Sequence, residues 1–124
     1  MSIGKLLPSA LIVLVALEHI YFMILEMFLW QRPLGLKTFN HTAEHAKDSA
    51  VLAANQGLYN GILAAGLLFS LIYPLKDMSL PVRTFFLASV VVAGLYGGAT
   101  VSSRIVFIQA MPALLALVAL WATR

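Results

Sequence analysis

The sequence predicts an all-α fold, specifically an integral membrane four-helix bundle, on two observations. Hydrophobic residues make up 61% of the 124-residue chain and charged residues only 10%, with a mean hydropathy of +0.93. A soluble domain carries about 25% charged residues, so this chain has too few charges to cover a water-facing surface. The apolar residues also fall into four blocks, and about 20 apolar residues are enough for a helix to cross a bilayer.

The four blocks fit a single domain, residues 1–124, whose two ends lie on the same side of the membrane. The predicted spans lie at about residues 6–30, 51–73, 80–102 and 105–121. Pro8 and Pro81 fall near the starts of the first and third spans, where a helix tolerates proline. Trp30 and Trp121 fall at span ends, where aromatic side chains meet the membrane surface.

Residues 31–50 form the longest connection, and we expect it to be partly helical. The run Arg32-Pro33-Leu34-Gly35 is typical of a turn. After Asn40 the pattern becomes helical, with Asn40 or Thr42 as the N-cap. Nothing interrupts this pattern before Pro74, so the second helix is expected to begin outside the bilayer and to enter it near Val51.

Composition and charge exclude several classes of function. The chain has no cysteine, which rules out disulfides and thiolate metal sites. The net charge of +3 is dispersed, without the basic run that would indicate nucleic-acid binding. Basic residues leave the membrane orientation open, because four fall on each side. They are Lys5, Lys76, Arg83 and Arg124 on the side of the termini, and Arg32, Lys37, Lys47 and Arg104 on the other.

The first span contains three residues that hydrocarbon disfavours, Glu18, His19 and Glu26. Ionisable side chains inside a membrane are costly and by default mark a functional site. At 100° per residue, His19 and Glu26 differ by only about 20° around the helix, and Glu18 lies within the same broad face. The first helix therefore has a polar face, which we expect to point into the bundle.

Counting 1.5 Å per residue from the span ends sorts the polar residues into two levels. The outer level, about 6 Å from one membrane face, comprises Glu26, Asn55, Gln56, Thr100 and Gln109. The inner level, roughly 14 to 18 Å deep, comprises Glu18, His19 and Asn60. With Trp30 and Tyr59 in support, these side chains predict a polar cleft that opens on the side of the long loop.

Each of these residues also has a structural interpretation. Glu18 can be a neutral carboxyl group that only holds helices together, and His19 a buried histidine with satisfied hydrogen bonds. Glu26 can reach the membrane surface and pair with Arg32 or Arg104. The four amides can be interhelical hydrogen bonds, each contributing about 1 kcal/mol or less.

Small residues indicate where helices approach each other closely. Gly57-x-x-x-Gly61 and Gly94-x-x-x-Gly98 have the spacing that lets two membrane helices touch. Both patterns are expected to pack the bundle or a dimer.

One short motif resembles a metal site. The run His41-Thr42-Ala43-Glu44-His45 matches H-x-x-E-H, a spacing that some zinc peptidases use. On a helix both imidazoles would share a face and could bind a metal, but a third ligand would have to come from elsewhere. So brief a motif occurs by chance, and we expect a solvated amphipathic turn, with no metal and no cofactor.

Four stretches, LEHIYFMILEMFLW, AANQGLYNGILAAGL, AGLYGGATVSSR and IQAMPALLAL, resemble the small four-span bacterial membrane proteins grouped as domain of unknown function 1304. The likeness covers essentially the whole chain. It implies a multi-pass protein of the bacterial inner membrane, and it implies no particular activity. The residues that match the family's motif are Glu18, His19, Glu26, Trp30, Asn55, Gln56, Gly57, Asn60, Gly61 and Gln109, whereas His41 and His45 lie outside it.

Two looser likenesses suggest competing functions. A four-span chain with a carboxylate in its first helix is similar to the small multidrug transporters, which implies an antiparallel dimer where Glu18 exchanges protons for cationic cargo. The 20-residue first loop departs from their compact build. Glu and His facing Asn and Trp in a short bundle is similar to membrane-embedded sterol isomerases, which implies general acid–base catalysis.

We therefore expect a homo-oligomeric membrane protein, a dimer, whose cleft binds or transports a small molecule, with proton coupling. Glu18 would be the deep titrating group, His19 its relay partner and Glu26 the outer carboxylate. The ligand would be oriented by Asn55, Gln56, Asn60 and Gln109. The alternative is a lipid- or isoprenoid-modifying enzyme that uses Glu and His as acid and base, and a third is a structural or assembly protein. Membrane lipids and an unidentified small molecule are the expected partners.

Overall fold

The computed structural model describes residues 3–124, apart from the side chain of Lys76. This part of the chain consists of helices joined by short connections and contains no strand, which confirms the all-α class. The helices are α1 (Ile3–Phe28), α2 (Pro33–Phe39), α3 (Ala43–Ile72), α4 (Lys76–Thr100), a π turn (Val106–Ala110) and α5 (Met111–Ala122).

Among the described residues, α1, α3 and α4 are long and apolar enough to cross a membrane. Their most apolar stretches have mean hydropathies of 2.0, 1.2 and 1.7. Large apolar side chains such as Leu14, Ile62 and Phe85 are exposed on them, as contact with lipid requires. The last apolar helix, Val106–Ala122, is shorter, so a fourth span stays a prediction.

The connection between α1 and α3 is more regular than the sequence suggested. The stretch interpreted as a turn instead opens α2, with Pro33 as its first residue, where the missing N–H costs nothing. Asn40 ends α2 in the left-handed conformation, at φ 50° and ψ 51°, so its interpretation as an N-cap was wrong. Thr42 is the N-cap of α3, because its Oγ1 accepts a hydrogen bond of 3.0 Å from the backbone N–H of His45.

The fourth apolar segment contains a π turn that the sequence reading missed. The backbone N–H of Met111 bonds to the carbonyl of Val106, five residues back instead of four. The signal was Pro112, which has no N–H to donate to the carbonyl of Ile108 and would crowd it in a regular helix. Sharp irregularities in helices occur almost always at prolines or at π turns, and this segment contains both.

The chain forms two compact units. The first contains the start of α1, up to Ala16, and residues 65–124; the second contains residues 17–64. In the first unit, a side chain at Gly94 would lie 2.5 Å from the backbone nitrogen of Ala110, so glycine allows this close approach. The second unit is a helical hairpin in which residues 17–28 of α1 pack against α3. It holds every polar candidate except Thr100 and Gln109.

Candidate functional site

Two glycines bring α3 into contact with α1 in the second unit. A Cβ atom at Gly57 would lie 2.7 Å from Cγ of Met27 and 3.0 Å from Cβ of Glu26. At Gly61 it would lie 2.6 Å from Sδ of Met23. Because the later glycine meets the earlier methionine, the two helices run antiparallel. Close approach through glycine places the Glu26 side chain directly against α3.

The centre of the site is a hydrogen bond between these two helices. Nδ2 of Asn60 donates to Oε1 of Glu26 over 2.5 Å. Asn60 is only 6% exposed, and Glu26 is half-buried. The two residues are 34 positions apart in the chain, so this bond fixes the α1–α3 hairpin as well as pairing the carboxyl group.

This pair joins residues that the sequence placed on different levels. Glu26 was assigned to the outer level and Asn60 to the inner one, about 7 Å deeper at 1.5 Å per residue. Side chains on a helix lean toward its N-terminus. In an antiparallel hairpin this tilts Glu26 inward and Asn60 outward, which closes the gap. Counting backbone levels alone does not include this direction, so it did not predict that these two side chains would meet.

Glu18 is a second acid, eight residues before Glu26 and therefore about 12 Å along α1. The residue is half-buried. Its Oε1 is buried and has no hydrogen-bond partner within the described residues. Leaving a buried acceptor unpaired costs about 1–3 kcal/mol, so this oxygen is the most conspicuous polar group of the hairpin.

His19 is fully buried, with 0% of its side chain exposed. Its ring meets the edge of Phe22, with centroids 5.5 Å apart and planes at 67°. His19 does not bond to Oε1 of Glu18, so the expected relay between neighbours is not formed at that oxygen. Seven residues separate His19 from Glu26, which puts both on the same side of α1.

The other amides expected at the site lie apart from it. Asn55 and Gln56 are exposed on α3, and Tyr59 beside them is 56% exposed. The structure therefore brings only Asn60, of the three α3 amides, to a carboxyl group. The polar side chains of α3 spread over an arc of about 140° around the helix, which is too broad for all of them to face α1.

The two remaining candidates belong to the first unit. Thr100 is exposed, and its Oγ1 donates to the carbonyl of Tyr96 over 2.7 Å, inside α4. Gln109 is half-buried within the π turn. Their expected place on the outer level beside Glu26 stays a prediction.

Trp30 organises the connection that follows α1. Its Nε1 donates to Oγ of Ser49 over 3.1 Å. Its ring lies 4.7 Å from the ring of Phe39 and 4.4 Å from that of His41. The sequence placed Trp30 at the membrane surface but missed this aromatic cluster, for which the aromatic residues of the connection were the signal.

The residues of the H-x-x-E-H motif lie where the connection between α1 and α3 meets α3. His41 precedes α3 rather than lying on it, and its ring nitrogen is 3.3 Å from the carbonyl oxygen of Trp30. The rings of His41 and His45 are 5.6 Å apart. The described residues contain no group of three His, Cys, Asp or Glu that could hold a metal.

Comparison with known proteins gives a family without an activity. A family model described as "Protein of unknown function (DUF1304)" matches residues 13–121. The chain is 33% identical over 115 residues to "Uncharacterized protein YpaA" of Lactococcus lactis subsp. lactis (strain IL1403). The aligned residues cover 91% of this chain and 95% of that protein. No solved structure matches.

Proposed function

The chain belongs to the DUF1304 family of proteins of unknown function, and we propose that it binds a small ligand at an intramembrane acid site and exchanges a proton there. The observation that carries this proposal is the hydrogen bond from Asn60 to Glu26, which joins two helices apolar enough to cross a membrane. An ionisable side chain at such a place is costly. Glu26 is nevertheless present, paired with the one buried amide of Asn60, which favours a functional role for this acid over a polar residue without a role.

Glu18 indicates what kind of ligand would bind. It lies near the middle of α1, about 15 Å from the end of the helix at Phe28, with a buried oxygen that accepts no hydrogen bond from the part of the chain that the structure describes. A ligand with an N–H donor would satisfy that oxygen, and the apolar surroundings would favour a mostly apolar molecule. We therefore infer a small lipophilic amine or ammonium compound as the ligand class.

Proton exchange follows from the same chemistry. A carboxylic acid surrounded by apolar groups is stable when neutral, whereas a cationic ligand favours the carboxylate. Binding of an ammonium group to Glu18 would therefore release its proton. Glu26 lies about 12 Å further along α1 and is bonded to Asn60, and buried His19 lies on the Glu26 side of α1. A release path along this face of α1 has groups that can carry the proton.

The experiment measures proton release from detergent-solubilised protein when ethidium, a cationic amine, is added. Mass spectrometry of the purified protein identifies any natural compound that stays bound, which is then tested in the same way. Wild type should release protons, and Glu18→Gln should not. Glu44→Gln is the matched control, because Glu44 is an exposed acid, and it should release protons as wild type does. Unchanged release in Glu18→Gln would refute the role of this acid.

A lipid- or isoprenoid-modifying enzyme is the alternative class. It needs an acid and a base that act on one substrate, and Glu26 with buried His19 would be that pair. Incubation with a lipid extract distinguishes the two. An enzyme converts a lipid into a product or an isomer that chromatography separates, and it loses this activity in His19→Ala, whereas a protein that only binds or transports leaves every lipid intact. If Glu18→Gln and Glu26→Gln changed only stability, a structural or assembly role would be the better account.

The homo-oligomer is also part of the proposal. Asn55, Gln56 and Tyr59 are exposed on one face of α3, and hydrogen-bonding groups in a membrane helix favour a partner that can bond to them. A second copy offers the same three side chains in return. The dimer would then meet along this face, on the side of α3 that does not contact α1.

A further inference from the structure

The first unit contains a cavity of about 220 Å³ at the end where α1 and α4 begin and α5 ends. Three basic residues line it: Lys5 of α1, Arg83 of α4 and Arg124 after α5. Two hydroxyl side chains, Ser79 and Thr123, complete its polar lining, and the rest is apolar. The sequence counted these basic residues only as charges for orientation.

The charged side chains that line this cavity are all basic. Among the described residues no acidic side chain lines it, and Asp77, in the first turn of α4, is exposed outside it. Arg83 is half-buried, and its Nε donates to the carbonyl of Ser70 over 3.3 Å. The guanidinium of Arg124 lies 4.7 Å from the centre of the Trp121 ring. Neither contact supplies a negative charge, so three cations share the cavity without neutralisation from these partners.

Helix ends add to this potential. α1 and α4 begin here, and the free N–H groups of a helix N-terminus favour an anion. α5 ends here and contributes the opposite sign, which Arg124 partly offsets. The sum of two N-termini, one C-terminus and three cations is a site that favours an anion with several oxygen acceptors.

We propose that this cavity binds the phosphate group of an anionic phospholipid. The guanidinium and ammonium groups that three helices bring to this cavity match the oxygens of a phosphate ester. Basic pockets at the ends of membrane helices bind acidic lipid headgroups. The cavity lies at the ends of helices long enough to cross a membrane, which is the depth of such headgroups. Its apolar lining, Pro8, Leu80 and Leu120, would contact the glycerol and the first methylenes.

The experiment counts phospholipids retained by the full-length protein in detergent, by native mass spectrometry. Phosphatidylglycerol and phosphatidylethanolamine are titrated separately, each with and without inorganic phosphate as competitor. A basic residue near a membrane surface contributes about 1 kcal/mol, or about fivefold in affinity. We expect phosphatidylglycerol to bind Arg83→Gln about fivefold more weakly than wild type, and Arg104→Gln, an exposed control outside the cavity, to match wild type.

A second variant controls for misfolding of the first. Arg83→Gln removes the bond to Ser70 and could disturb α4, so the double variant Lys5→Gln, Arg124→Gln changes only exposed side chains and should also lose phosphatidylglycerol. Retention that inorganic phosphate does not displace identifies the lipid as the ligand. Displacement by phosphate supports the same anion site with a soluble source. Equal binding of both lipids, or unchanged retention in both variants, overturns the proposal.

Discussion

The side-chain amide of Asn60 donates a hydrogen bond to the carboxyl group of Glu26, 34 residues away, across the contact of two membrane-type helices. The bond accounts for two properties at once. It satisfies an acid that would otherwise be buried beside an apolar helix, and it selects one register of α3 on α1. Variants of Glu26 or Asn60 that keep the side-chain size but remove the hydrogen bond therefore separate its effect on stability from its effect on function.

The strength of this pair can be measured by a double-mutant cycle. Hydrogen bonds between membrane helices average about 0.6 kcal/mol and reach about 1.7 kcal/mol. We expect Glu26→Leu, Asn60→Leu and the double variant to give an interaction energy in that range, because each single change leaves one polar partner unpaired. Unfolding in mixed detergent micelles provides the free energies. Strictly additive losses would mean that the two side chains do not interact.

The two glycines of α3 should differ in their tolerance of a methyl group. At Gly57 the new Cβ would meet Cγ of Met27 and the backbone oxygen of Met23 at 3.2 Å, so the helices must move apart, at a cost of about 1–3 kcal/mol. At Gly61 it would meet only the flexible side chain of Met23. We expect Gly57→Ala to lower the melting temperature clearly more than Gly61→Ala. Equal effects would contradict this packing.

Gly35 should not tolerate any side chain. A Cβ atom there would collide with the carbonyl oxygen of Leu29 and lie 2.8 Å from that of Trp30. Backbone oxygens cannot swing aside as a side chain does, so Gly35→Ala should destabilise the protein by about 1–3 kcal/mol. Gly4→Ala is the matched control, because its nearest contact is a methyl group of Thr123 at 4.0 Å. A neutral Gly35→Ala would show that α2 packs differently.

The exposed amide face of α3 can be tested by crosslinking, since the chain has no cysteine of its own. We expect Asn55→Cys to form a disulfide-linked dimer in membranes on mild oxidation, because the two copies would place this position near their common axis. Val118→Cys is the control, at a residue that is 60% exposed on α5. Crosslinking of Val118→Cys alone would move the dimer contact to α5.

The helices and the two carboxyl groups could be predicted from the sequence for physical reasons. Ionisable residues are so rare in apolar spans that Glu18 and Glu26 stand out without any structure. The pairing of Glu26 with Asn60 could not be predicted by the same means, because depth along a helix says nothing about which way a side chain leans. Asn55 and Gln56 were misplaced since helix angle is a poor guide when more than a third of the circumference is polar.

The local irregularities show another limit. α2 and the π turn both arise at prolines, Pro33 and Pro112, whose positions were plain in the sequence. A proline can open a helix, kink it or widen a turn, and the choice depends on what the neighbouring carbonyls can bond to. Which of these occurs is determined by how the helix packs against its neighbours in the fold.

The short final helix has a consequence for the membrane around the protein. Val106–Ala122 contains 17 residues, about 25 Å at 1.5 Å per residue, whereas hydrocarbon is about 30 Å thick. If this helix crosses, lipids beside it must compress to meet its ends, while α1, with 26 residues, can tilt. The protein would then impose a thin annulus on one flank only. Such hydrophobic mismatch draws it toward thinner bilayers and toward lipids with short acyl chains.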